Sequence, residues 1–216
     1  MEIDYKINTF ETKLNIMTAV LTGDIINSRK SKTPDWLSNL KETLSKFGKE
    51  PEQWEIYRGD SFQLEIDPKK ALEAAIFIKA SIKKEKNVDV RVAIGIGNKT
   101  YTSDQVTTSN GTAFINSGEC FDTLKKVNLA IKTPWSEFDE QINLLLELAS
   151  LTMNGWLPAT ATIVTSALEN KDMNQKEPAK MLEKSQSSIS EALSRAGYDE
   201  INKLIDTYQK KLKKLC

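Results

Sequence analysis

Apolar positions recur along this chain with two periods, and the order in which they alternate predicts its architecture. Asn15–Gly23 is a short β-prone run ending in Gly-Asp, as a buried strand reads. Across Pro34–Phe47 the period lengthens: Trp36, Leu37, Leu40, Leu44 and Phe47 recur at helical spacing, with Thr33 or Asp35 near the cap. Gln53–Tyr57 and Ser61–Ile66 read as two short strands joined through Arg58-Gly59-Asp60, a tight hairpin. Pro68–Lys84 is a second amphipathic helix, with Ala71, Leu72, Ala75, Ile76, Ile78 and Ile82 on its inner side. Val88, Val90, Val92, Ile94 and Ile96 then alternate as one face of a strand. The Thr/Ser-rich stretch Asn98–Gly111 predicts a loop or short hairpin, and Ala113–Ile131 returns to a helical pattern.

The predicted order is β-α-β-β-α-β plus a further helix. It points to an α+β fold with a ferredoxin-like, split βαβ arrangement: an antiparallel sheet with helices on one face. A linker near Lys132–Phe138 separates residues 1–132 from a second unit, 133–216, that reads as helix only. Within that unit, Gly155–Pro158 and Asn170–Asn174 mark element boundaries.

Composition narrows the chemistry. The chain has 216 residues, 39% apolar and 28% charged, with zero net charge, so a surface for nucleic acid must be local. There is no histidine, which excludes Ser-His-Asp and Cys-His catalysis and His-ligated zinc. Two cysteines, Cys120 and Cys216, build neither a disulfide framework nor a tetrahedral thiolate site, and fit a reducing, cytoplasmic setting. The opening MEIDYKINTFETK lacks the pattern of a signal peptide, and no apolar run approaches the ~20 residues of a membrane span. Any metal would be a hard cation on carboxylates, Mg²⁺ or Mn²⁺.

Two carboxylates stand where such chemistry could gather. Asp24 ends the first strand, and Asp60 sits at the hairpin tip. In a split βαβ sheet the first strand lies beside that hairpin, so the pair can converge on metal and a triphosphate. Ile25, Ile26 and Asn27 can offer backbone N–H groups to phosphate as the chain turns, with Arg29 and Lys30 adding charge. The plainer reading is that Asp after a strand and Gly-Asp in a hairpin are common turn choices.

The stretches TGDIINSRK, RGDSFQLEI, VRVAIGIGNKTYTSDQ and GTAFINSGECFDTLKK, in that order, resemble the SatD family of bacterial proteins. That family is similar to class III nucleotide cyclases and GGDEF-type palm domains. The resemblance covers about Met17–Lys126 and is most specific at Gly23-Asp24-Ile25, at Gly59-Asp60 with Phe62-Gln63, and at Ile94-Gly95-Ile96-Gly97. It implies a nucleotide-cyclase-like domain with Asp24 and Asp60 as metal ligands and Asn116 beside the nucleotide. Two positions depart from the pattern. Ser61 stands where the family carries an acidic residue, and Cys120 stands four residues after Asn116, where cyclases place an arginine. Losing a cation at developing phosphoryl charge costs ~10²–10³ in rate, which favours nucleotide binding over turnover.

In the second unit, Gln175–Ala196 (QKEPAKMLEKSQSSISEALSRA) resembles helix-turn-helix units of the form QxEIAxxLGxSQSxVSxxL. Asn174 caps a first helix with Ala179 and Leu182 inside, Glu183-Lys184-Ser185 turns, and Gln186–Arg195 forms a second helix with Ile189 and Leu193 inward, so the motif spans 174–196. Gln186, Ser187, Ser188 and Glu191 would face DNA bases, with Lys184 and Arg195 on the backbone. Pro178 and Glu183 depart from the motif, and the competing reading is a helical hairpin for packing or dimerisation. Apolar stripes at Ile142–Leu151 and Ile201–Leu212 predict core or a dimer surface.

These readings lead to a DNA-binding regulatory protein with a nucleotide-cyclase-like sensor or dimerisation domain, working as a homodimer with NTP and Mg²⁺ or Mn²⁺ as candidate ligands. The rivals are an active nucleotidyl cyclase using Asp24 and Asp60, and a non-catalytic protein-interaction adaptor.

Overall fold

The computed structural model describes residues 17–30, 35–124, 127–170 and 185–215. Its architecture is α+β with a mixed sheet. The strands are β1 (Met17–Ile26), β2 (Trp54–Tyr57), β3 (Ser61–Ile66), β4 (Asp89–Tyr101), β5 (Asn110–Gly111) and β6 (Leu129–Lys132). The described helices are α1 (Asp35–Ser45), α2 (Pro68–Ile82), α3 (Thr112–Thr123), α4 (Ser136–Met153), α5 (Pro158–Glu169), α6 (Gln186–Arg195) and α7 (Tyr198–Leu212). Among the described residues, no helix is long and apolar enough to cross a membrane.

Strand β1 lies at the centre of the order β2-β3-β1-β4 and is antiparallel to both of its neighbours. It pairs with β3 from Ala19↔Ile66 to Asp24↔Ser61, and with β4 from Met17↔Asn98 to Ile26↔Asp89. Sequence reading missed β6, which adds to β4 in parallel from Val92↔Leu129 to Gly95↔Lys132. The predicted helix over Ala113–Ile131 is therefore a helix to Thr123 and then a strand. Leu129–Lys132 (LAIK) is too short to set a period against the helical pattern before it, so only the partner strand reveals it. The Asn143 side chain on α4 donates to Ile131 O at 2.9 Å and accepts from Ile131 N–H at 2.8 Å, occupying backbone groups of this short strand.

The alternation of β1 and β4 sorts the two sheet faces. Ala19, Leu21 and Ile25, with Val88, Val90, Val92, Ile94 and Ile96, join α1 and α2 in the main core. The expectation of helices on one face does not hold, because α3 covers the other. There Val20 packs with Ala113 and Phe114, Ala93 packs with Cys120 and Leu124, and the Thr22 and Ser117 hydroxyls share a 3.0 Å hydrogen bond. The sheet admits α3 at close range because Gly95 and Gly97 lie beneath it. A Cβ on Gly95 would stand 2.2 Å from Ser117 N and 2.3 Å from Ala113 O. The Gly95 and Gly97 of the Ile-Gly-Ile-Gly run thus have a packing reason.

The main core continues past Lys132. Phe138, Ile142, Leu146 and Met153 of α4, Ile163 and Val164 of α5, Ile189 and Leu193 of α6, and Ile201, Leu204 and Tyr208 of α7 belong to one apolar cluster with α2 and the sheet. Polar contacts fasten these helices. The Tyr208 hydroxyl donates to Pro68 O, and the Tyr198 hydroxyl to Ala167 O at 3.0 Å. Trp156 Nε1 donates to Ala196 O at 3.1 Å, beside the left-handed Gly197 (φ 68°) that separates α6 from α7.

Candidate functional site

The end of β1 gathers the first group. Pairing with β3 sets Asp24 opposite Ser61, and the Ile25 N–H donates to Asp60 O at 3.0 Å, so the two aspartates sit on neighbouring strand ends. Left-handed backbone at Arg58 (φ 52°) and Gly59 (φ 91°) closes the hairpin that carries Asp60. On the other side of β1, Asp24 stands opposite Arg91 of β4.

That neighbour changes the chemistry. Arg91 Nε donates to Asp24 Oδ1 at 2.9 Å and Nη2 to Oδ2 at 2.5 Å, a two-point ion pair. Arg91 Nη1 also donates to Leu124 O at 3.2 Å, and its guanidinium carbon lies 5.5 Å from the centre of the Phe121 ring. The hydrogen bond to Asp24 pushes the Arg91 pKa further up against some burial, so the guanidinium is a fixed charge. Both side chains are partly shielded, at 32% and 22% exposure, which sets the pair apart from fully solvated ones worth ~0–1 kcal/mol.

The other predicted residues fall around this pair as follows. Asp60 Oδ2 accepts from Ser28 Oγ at 2.7 Å, which ties the hairpin tip to the turn after β1. Ile25 is buried with its N–H used by Asp60, and Ile26 is half-buried in the last β1–β4 pair with Asp89. Asn27 is left-handed (φ 63°) and exposed, its amide donating to Asn87 O at 3.3 Å, and Arg29 is exposed. Tyr57 lies near enough to feel the charge of Asp24; burial raises its pKa first, Arg58 opposes the rise and Asp24 adds to it.

Asn116 is not in this group. Its amide donates to Ile96 O at 2.8 Å, and Ile96 pairs with Ala19, five residues along β1 from Asp24. At 3.3–3.4 Å per strand residue that is roughly 17 Å. Cys120 is buried against Ala93 and Leu124, and burial pushes its pKa up to about 12, with Asp139 adding and Lys132 opposing.

The oxygen donors at the strand ends are of the kind Mg²⁺ or Mn²⁺ prefers. Their occupancy by protein partners does not fit a bound ion. Both Asp24 oxygens accept from Arg91, one Asp60 oxygen accepts from Ser28, and no group of three or more metal-ligating side chains occurs among the described residues. An ion here would first have to displace a guanidinium.

The second group lies on α6. Ser185 caps the helix, accepting from Ser188 N–H at 3.2 Å. Ile189, Ala192 and Leu193 are buried, while Gln186, Ser187, Ser188, Glu191 and Arg195 are exposed. Glu191 and Arg195 form an ion pair one turn apart. Lys184 and the first helix of the predicted motif, over residues 174–182, lie outside the described residues.

Sequence reasoning passed over Arg91 and a second charged cluster. Lys79 of α2 is 1% exposed, and its Nζ donates to Asp89 Oδ1 at 2.8 Å. Lys83 Nζ donates to Asp89 Oδ2 at 3.3 Å and to Asn154 O at 2.9 Å. Burial lowers the Lys79 pKa, and Asp89 opposes that shift. In both cases the available signal was a charge inside an apolar run: Val90-Arg91-Val92 in the strand and Ile78-Lys79-Ala80 in the helix.

No protein-family model matches the chain, and no curated protein matches it significantly.

Proposed function

We propose that the protein is a DNA-binding regulator in which α6 reads the duplex and the α/β part acts as a sensing or dimerisation half. The observation that carries this is the division of α6. Its apolar residues are sunk in the core, while Gln186, Ser187, Ser188, Glu191 and Arg195 form an exposed polar face beginning at a serine-capped N-terminus. Glutamine suits adenine, serine suits bases or phosphate, and the first-turn N–H groups suit a phosphate oxygen. The helix-turn-helix assignment extends this to residues 174–182.

For the α/β part we propose a SatD-like, ferredoxin-like unit related to nucleotide cyclases. The strand order β2-β3-β1-β4 and the adjacent strand ends carrying Asp24 and Asp60 support it. A nucleotide is the ligand class this relationship suggests. Turnover is disfavoured, because buried, protonated Cys120 stands where a cyclase carries a cation.

Fluorescence anisotropy with labelled duplex tests the reading. Binding should weaken steeply as salt rises. Combined Gln186→Ala and Ser187→Ala should lower affinity for a selected site by about tenfold or more. An unchanged affinity would remove α6 from the interface.

A second reading, an interaction adaptor, draws on Leu144, Leu148 and Leu151, exposed at 58%, 56% and 80% on α4. No DNA binding, together with a self-association abolished by Leu148→Glu, would favour it.

A further inference from the structure

We infer that Arg91 is the resident cation of the β1 strand end, and that by occupying both oxygens of Asp24 it excludes a divalent ion from that carboxylate. Two carboxylates on adjacent strand ends, with a serine hydroxyl and a peptide carbonyl beside them, offer the hard oxygen donors from which Mg²⁺ and Mn²⁺ sites are built. In this chain the positive charge comes from the protein itself. The strand register places Arg91 directly opposite Asp24, and its fork donates one hydrogen bond to each carboxylate oxygen.

The guanidinium is held from three further directions. Its third nitrogen, Nη1, donates to Leu124 O just after α3, the Phe121 ring lies against it, and the β4 backbone fixes its root. A planar fork fixed in this way covers both oxygens of Asp24 at once. Asp60 is likewise engaged, through Ser28. Arg29 and Arg58 are exposed nearby, adding positive charge that disfavours a second cation. The charge of Asp24 is thus balanced by the protein itself, without metal. The inference rests on the strand-end geometry alone, so failure of the DNA-binding reading leaves it standing.

The test is a Mn²⁺ titration of the full chain, followed by the electron paramagnetic resonance signal of free Mn²⁺. Wild type is expected to show no saturable site dependent on Asp24, and its Tm should be unmoved by Mg²⁺ or chelator. Arg91→Ala should gain one Mn²⁺ site, at least about tenfold tighter than any binding to wild type. The double variant Arg91→Ala with Asp24→Asn should lose that site. Arg91→Lys keeps the charge and should remain metal-free, which separates electrostatic masking from loss of fold; far-UV circular dichroism of each variant checks the latter. Mn²⁺ binding by wild type that disappears in Asp24→Asn would overturn the inference. So would a folded Arg91→Ala protein that gains no site.

Discussion

The Cys120 thiol lies under α3 against Ala93 and Leu124, on the face of the sheet that also holds Asp24. Burial pushes its pKa up to about 12, so at pH 8 the thiolate fraction is on the order of one in ten thousand. The expected result is negligible alkylation of Cys120 by iodoacetamide in native protein, and full alkylation in urea, read by mass spectrometry of its peptide. Rapid native labelling would show that α3 opens readily. Asp24 and Asp60 differ in their partners. Asp24 is charge-paired to an arginine on the neighbouring strand, whereas Asp60 rests on a serine hydroxyl and serves the turn. Two residues that look equivalent in sequence therefore differ in electrostatic setting.

At the scale of elements, α3 meets the sheet at a distance that only glycine allows. Added at Gly95, a Cβ would meet backbone atoms of α3, and these cannot rotate away as a side-chain tip can. At Gly97 it would stand 2.4 Å from Thr112 Oγ1 and 2.7 Å from Ala113 N. Gly95→Ala should therefore lower stability by about 2–3 kcal/mol, in the upper range for overpacking, seen as a lower urea midpoint. Substitution at Gly118, where a Cβ meets nothing within 4 Å, is the internal control. On that helix a mid-helical Gly→Ala change should be neutral or stabilising by up to about 1 kcal/mol.

Across the whole molecule, one apolar cluster joins the sheet to the helices after Lys132. Trp36 and Trp54 in the α/β part and Trp156 in the helical part all belong to it. Buried charge reinforces the junction, since Asp89 pairs with both Lys79 and Lys83 while Lys83 also holds Asn154 at the end of α4. Removing Asp89 strands two shielded ammonium groups, and Asp89→Asn should cost about 3 kcal/mol or more. Tryptophan fluorescence and far-UV circular dichroism should report coincident urea transitions in wild type. Separate transitions would mean that 1–132 and 133–216 unfold as independent units.

Local pattern was enough for much of this chain. Helical spacing over 34–47 and 68–84, strict alternation over 88–97 and the Arg58-Gly59-Asp60 turn each state a backbone preference within a few residues. The structure has α1, α2, β4 and the β2–β3 hairpin at those places. The placement of Asp24 and Asp60 on neighbouring strand ends followed from element order, because a central hairpin packs beside the first strand. Tertiary structure alone decided the rest. Strand β6 exists because β4 offers it an edge, and α3 takes the opposite face because Gly95 and Gly97 leave room there. Arg91 meets Asp24 through a register between residues 67 positions apart, a relation no local period encodes. The identity of each acidic residue was legible in sequence; the partner that sets its charge environment was not, because pairing is a property of the folded chain.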